Sequence, residues 1–185
     1  MAYGVLIESN IQAKDNDALN RFAVSSTTAV AGGGLVALTA PTTQGEDRWT
    51  ATVPATGALS GLYMAYNPVE KYTLVGTKYF AGLSADPRDY TNLSGKSFTV
   101  FSPKVGDEVV LTVDAVESTS QASVVAGDYL EAKNAQTTLT RVAAVTGATA
   151  STTAFKVEWV GSIAFPQGAI GMSYVKAFKA VCVQE

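Results

Sequence analysis

Apolar residues in this chain recur mainly with a period of two, the spacing of a half-buried β-strand, and seldom with the period of a helix. The stretch 86–116 shows this best. Phe98 and Val100 share one face and Thr99 and Phe101 the other; farther on, Val109, Leu111 and Val113 alternate with Val110, Thr112 and Asp114. Between the runs lies Ser102-Pro103-Lys104-Val105-Gly106-Asp107, in which proline fixes φ and glycine can reach positive φ, so the two runs are predicted to pair as a β-hairpin.

The same signals continue along the chain. Residues 22–24 and 35–38 flank a Ser/Thr/Gly-rich connection containing Gly32-Gly33-Gly34. No Lys-Ser/Thr and no helix follow that triplet, so it is a loop and not a phosphate cradle. Residues 49–53 alternate after the polar turn Gln44-Gly45-Glu46-Asp47, and 62–66 follow a punctuated stretch. Residues 71–75 and 78–80 read as a two-residue hairpin with Gly76 at the first turn position, which suits type II′. Gly127-Asp128 followed by Tyr129-Leu130-Glu131-Ala132 repeats in miniature the Gly106-Asp107 turn and its strand. Phe155, Val157 and Trp159 are expected on one face, with Lys156, Glu158 and Val160 on the other. In the last run, 174–183, Lys176 and Lys179 fall on opposite faces, which predicts a partly exposed or edge strand. Roughly ten to twelve strand-like runs and no long helix predict an all-β fold, a β-sandwich or β-barrel.

The first 22 residues differ in character from the rest of the chain. After Val5-Leu6-Ile7 they carry Glu8, Lys14, Asp15, Asp17 and Arg21, whereas residues 23–45 carry no charge. Asp15 could cap a helical turn that places Leu19 and Phe22 on one face. The expected organisation is an N-terminal arm, 1–22, and a β-rich domain, 23–185, with a possible sub-boundary at 67–72 where Asn67-Pro68 breaks the chain. Two readings of residues 5–7 stand side by side. They add an edge strand to a partner's sheet, or they form the first strand of the chain's own domain.

Composition narrows the function classes. Charged residues are 16% of the chain, against about 25% in ordinary soluble domains, and small and β-branched residues dominate, a balance that suits β-proteins living in assemblies. At 185 residues one domain can bury about 70% of its extended surface, so no staples are needed. The net charge is -3 with no basic run, which argues against direct nucleic-acid binding. No apolar stretch approaches a membrane span, and no charged segment precedes an apolar one at the start, so synthesis and retention in a cytoplasm are expected.

Histidine is absent, which removes the usual general base, transition-metal ligand and triad partner together. Cys182, the single cysteine, alternates with Val181 and Val183 and reads as a buried strand thiol. The acidic pairs Asp15/Asp17, Glu46/Asp47, Asp86/Asp89 and Asp107/Glu108 lack the EF-hand pattern and read as solvated turn acids. Ser84, Ser94 and Ser97 have no histidine to activate them. These residues point to no catalytic centre, no metal and no cofactor. Tyrosine clusters instead at Tyr63, Tyr66, Tyr72, Tyr79 and Tyr90, a density that fits cross-strand aromatic pairs, a protein interface or a sugar-stacking surface. The candidate interface residues are Val5, Leu6, Ile7, Tyr66, Tyr72, Tyr79 and Tyr90.

Two patches carry a resemblance: Tyr66-Asn67-Pro68 through Lys71-Tyr72, and Asp86-Pro87-Arg88-Asp89-Tyr90-Thr91-Asn92 through Val105-Gly106-Asp107-Glu108. They resemble the head decoration, or cement, proteins of tailed bacteriophages. The turns Ala126-Gly127-Asp128-Tyr129-Leu130 and Phe165-Pro166-Gln167-Gly168 are similar in kind to those of β-barrel capsid auxiliary proteins. The resemblance covers about half the chain. It implies a non-enzymatic virion protein on the outer surface of the phage head, bridging major capsid protein subunits, self-associating as a dimer or trimer, and carrying no catalytic residue. The alternatives are a tail or fibre component and a carbohydrate-binding β-module; a cytosolic enzyme would need convergent polar groups.

Overall fold

The computed structural model describes residues 2–12, 20–42, 47–75, 78–82, 84–167 and 171–185. The described chain is all-β, with short 3₁₀ turns as its only helical pieces, and no helix among these residues is long and apolar enough to cross a membrane. Its strands are β1 (Arg21–Val24), β2 (Leu35–Pro41), β3 (Arg48–Thr52), β4 (Tyr63–Ala65), β5 (Tyr72–Val75), β6 (Lys78–Ala81), β7 (Ser97–Phe101), β8 (Glu108–Thr112), β9 (Tyr129–Glu131), β10 (Thr140–Val142), β11 (Ala154–Gln167) and β12 (Gly171–Gln184).

Five of them close into a barrel, β1-β3-β2-β4-β7, in which β1 and β3 run parallel and the other pairs antiparallel. Five more form an antiparallel sheet, β10-β9-β11-β12-β8. The remaining two, β5 and β6, pair only with each other among the named strands, in the register expected from Gly76-Thr77, whose own positions lie outside the described residues.

Side-chain alternation explains how barrel and sheet share one core. Ala23, Val36, Ala51, Ala65, Phe98 and Val100 cluster from all five barrel strands, and the alanines leave room in a cylinder this narrow. Their neighbours Leu35, Met64 and Phe101 point the other way, onto Leu111, Leu130, Phe155, Val157, Phe178 and Cys182 of the sheet.

Several expectations change once the partners are known. Strands β7 and β8 are not a hairpin: β7 belongs to the barrel and β8 to the sheet, so the Pro103–Gly106 turn is a crossover. Its backbone pairs with the end of β12 instead, through Gly106 N–H to Cys182 O (2.8 Å) and Cys182 N–H to Asp107 O (2.8 Å). The miniature repeat recurs in three dimensions. Gly127 N–H donates to Val157 O (2.7 Å) and Val157 N–H to Asp128 O (2.8 Å), so each Gly-Asp turn launches a strand against one of the two long strands. Both glycines have positive φ, 97° at Gly106 and 93° at Gly127.

The acids of these turns are not solvated. Asp107 is fully buried and Asp128 nearly so. One carboxylate oxygen of each accepts the backbone N–H three residues earlier, from Lys104 at 2.8 Å and from Val125 at 3.0 Å, which closes the turn from inside. Asp86 is buried likewise, accepting from the Arg88 backbone at 2.9 Å and pairing with its guanidinium at 2.6 Å.

The alternation expected over 155–160 breaks at a bulge. Val157 pairs with Ala180 but Trp159 with Lys179, so one extra residue turns Trp159 out to 47% exposure while Phe155 and Val157 stay buried. The last strand is an edge in part, as expected: residues 177–181 of β12 lie between β11 and β8, whereas 171–176 pair with β11 alone and expose Met172 and Tyr174. Its two lysines are accommodated by partners: Lys176 Nζ donates to three carbonyls of residues 121–124, and Lys179 pairs with Glu108 at 2.8 Å.

The N-terminal segment packs on the chain's own domain, though through isolated bridges at Leu6 and Gln12 and not as a first strand. Val5 and Leu6 are buried in the chain's own core, Leu6 among the barrel-to-sheet cluster and Val5 against Phe165 and Val175. Ile7 N–H donates to Val110 O (2.8 Å), Thr112 N–H to Val5 O (3.0 Å) and Gln12 N–H to Glu108 O (3.0 Å), so residues 5–12 cover β8. The Asn67 amide clamps the Leu6 backbone, accepting its N–H at 3.0 Å and donating to its carbonyl at 2.5 Å. Gly32 makes room for that clamp, since a Cβ there would sit 2.0 Å from Asn67 Oδ1. The helical turn expected after Asp15 lies outside the described residues; Phe22 belongs to β1.

Candidate functional site

The tyrosine-rich region is built around the departure and return of the β5–β6 hairpin. The chain leaves the barrel after β4 at Asn67-Pro68 and returns at Gly82. At the return, Tyr90 is buried and acts as a latch: its hydroxyl accepts from Ser84 N–H (2.8 Å) and donates to Ser84 O (2.9 Å). Gly82 is required beneath it, because a Cβ there would fall 2.2 Å from the Tyr90 ring. Tyr90 therefore holds the chain's own loop and presents no ring to a partner. Tyr66 is half-buried, its ring centroid 5.0 Å from that of Phe101 and its hydroxyl donating to Asn20 at 3.4 Å; burial, and then the charge of Glu8, push its pKa up. Tyr72 is half-buried in the wall of a groove, and the side chain of Tyr79 lies outside the described residues.

That groove has a volume of about 240 Å³ and is walled by Phe22, Pro68, Val69, Tyr72 and Leu93, with Thr91, Asn92 and Lys96 among its polar groups. Its position follows from the strands. In β1, Ala23 turns into the barrel, which sends Phe22 outward to 54% exposure beside its register partner Thr99. Val69, in the segment leading to β5, is 89% exposed. Asn92 fixes the opposite wall, bridging to Val30 and donating its amide to Tyr66 O (2.9 Å). Thr91 is only 6% exposed, and its Oγ1 has no hydrogen-bond partner. Thr91 stands in one of the patches that carry the resemblance but has no role assigned by its sequence, and Phe22 has two sequence readings, a helix face after Asp15 and the run 22–24, of which the structure shows the strand.

A second, more polar cleft of about 610 Å³ lies between Tyr3 and Gly4 on one side and Asp114, Glu117, Gln121, Lys133 and Gln136 on the others. Glu117 is held by Lys133 (2.6 Å), Ser120 (3.1 Å) and Thr140; the Lys133 ammonium first and the Thr140 hydroxyl next keep its carboxyl below the usual range. Burial pushes the Asp114 carboxyl up, and its buried Oδ2 has no partner.

The remaining acids do not converge. Asp89 bonds Ser84, Glu108 pairs with Lys179, and Asp15, Asp17 and Glu46 lie outside the described residues. Among the described residues no group of three or more Cys, Asp or Glu side chains stands close enough to hold a metal. Cys182 is buried in the core, and its thiol is pushed up to about 11 by desolvation, so it is a poor nucleophile. The arrangement offers surfaces and clefts for binding. Compared with models of known protein families, with curated proteins and with solved structures, the chain matches none.

Proposed function

We propose that this chain is a non-enzymatic structural protein of a tailed-phage virion, lying on the outer surface of the head and bridging major capsid protein subunits. One observation supports the reading beyond the sequence resemblance. Large apolar side chains stand in water at separate places on the fold: Phe22 and Val69 at the groove, Phe80 on β6, and Met172 and Tyr174 on β12. Exposed apolar residues in such number suit a protein that is covered by neighbours in an assembly. Heads assembled without the protein should release DNA at lower temperature than decorated heads, and images of the virion should show it in near-lattice copy number. Identical release profiles, or density confined to a few rings on the tail, would refute the reading. A carbohydrate-binding role is favoured by one feature, the polar cleft lined by Glu117, Gln121, Lys133 and Gln136; titration with a glycan panel tests it, and loss of any signal in Gln121→Ala would assign it to that cleft.

A further inference from the structure

We infer that two copies of this chain join edge to edge, the free edge of β11 pairing antiparallel with itself over residues 160–164 about a two-fold axis at Ser162. The contact belongs to the purified chain and does not rest on the virion reading.

Strand β9 reaches β11 only at residues 154–156, and among the described residues nothing pairs with that side of β11 beyond Val157. The backbone groups left facing outward follow from the register. Val157 turns both of its own away from β12, its N–H to Asp128 O (2.8 Å) and its carbonyl to Gly127 N–H (2.7 Å). The bulge then adds Glu158, so alternation directs Trp159 at β12 and turns Val160, Ser162, Ala164 and Pro166 outward. Pro166 fits this assignment, having no N–H to give to β12.

An unpaired edge is a template for another strand, and proteins ordinarily guard it with charge, proline or a bulge. In β11 the bulge and Pro166 stand at the two ends, and residues 159–167 carry no charge. Other edges are better guarded. Strand β10 is short and carries Arg141, and β6 carries Lys78.

Register selects a second copy as the occupant. With Ser162 on the axis, Val160 of each copy meets Ala164 of the other, and Glu158 meets Pro166. The extra residue of the bulge then lies opposite the residue without an N–H, so the two interruptions of the ladder coincide. An axis one residue earlier sets Pro166 against Lys156, which β9 already holds, and one residue later sets it against Val160 in mid-ladder. Side chains agree with the same axis. Gly161 of one copy lies opposite Ile163 of the other, beside the Trp159 ring, which is 47% exposed and covers Gly161 so closely that a Cβ there would come within 1.8 Å of it. On the other face the exposed Ser162 meets its own counterpart, hydroxyl to hydroxyl. Such a contact is isologous, closes on itself and joins two sheets into one.

The test is sedimentation of the full chain across a concentration series, with circular dichroism and thermal melts as the control for folding. Wild type should pass from monomer to dimer and stop there. Ser162→Glu and Ser162→Lys each set like charges opposite one another on the axis, and each should weaken the dimer at least about a hundredfold. Mixed in equal amounts, the two variants should dimerise again, since unlike charges then meet. Ser162→Cys places two thiols on strands whose Cα atoms stand about 5.5 Å apart, within disulfide reach, and should cross-link under mild oxidation while the buried Cys182 does not. A wild type that stays monomeric up to its solubility limit overturns the inference. So does a dimer that both charge variants leave intact, or a mixture of the two that stays monomeric. Head binding by a strictly monomeric chain would sink this inference and leave the virion reading standing, and a dimer that ignores heads would do the reverse.

Discussion

Replacing Asp128 by alanine isolates what a buried turn acid contributes. In the native chain Oδ2 accepts from Val125 N–H at 3.0 Å and from Arg141 Nε at 2.5 Å, while Oδ1 accepts from Ala144 N–H at 3.3 Å and from Arg141 Nη2 at 3.2 Å. Alanine leaves two backbone donors without an acceptor. A stranded donor costs about 1–3 kcal/mol when it is dry. Val125 and Ala144 are themselves exposed, so water can reach their amides and the low end applies, about 2–3 kcal/mol in total. For a domain of this size that corresponds to a fall of about 5–10 °C in melting temperature. The pH dependence carries a definite sign. Burial alone would raise the Asp128 carboxyl, but the Arg141 guanidinium and then the two N–H groups outweigh it and hold it below the usual range. The contribution is therefore complete above the unfolded-state value of about 4 and is lost as pH falls through the lower native value. Calorimetric melts of wild type and Asp128→Ala should differ most at pH 7 and converge in strong acid. A variant melting within about 1 °C of wild type at pH 7 would refute the account, as would a gap that persists unchanged into acid.

The buried N-terminal segment and the core thiol set two further outcomes. Leu6→Ala should cost about 2–5 kcal/mol, as expected for a fully buried leucine, and removal of residues 2–12 should abolish the cooperative melt by uncovering β8; a truncated chain that still melts cooperatively would show the segment to be dispensable to the fold. Cys182, with its thiol near 11, should react slowly with a thiol reagent at pH 8 and at once in guanidinium, and prompt native labelling would contradict its burial.

The elements were largely legible in the sequence because their signals are local. Alternation marks a half-buried strand wherever it occurs, and Gly76-Thr77 sets the register from Tyr72–Ala81 to Val75–Lys78 without help from the rest of the chain. The Gly106-Asp107 and Gly127-Asp128 repeat was visible for the same reason. The interface candidates fared differently. Val5, Leu6 and Tyr90 have the hydrophobicity of anchors, but what covers them is their own chain, and a sequence does not say whose atoms will bury a side chain.

What only the tertiary structure decided is partnership. The sequence determined that this would be an all-β protein with strands near these positions, a buried thiol and, among the described residues, no long helix. It could not determine that β1 lies parallel to β3, that β7 and β8 part into barrel and sheet, or that the bulge after Val157 turns Trp159 outward. Strand pairing is chosen among segments tens of residues apart by the competition of whole faces for burial, and a one-residue slip exchanges inside for outside. The groove at Thr91 arises in the same way. It exists because β1, the segment after β4 and the loop before β7 meet there, three stretches that the sequence keeps apart and only the closed barrel brings together.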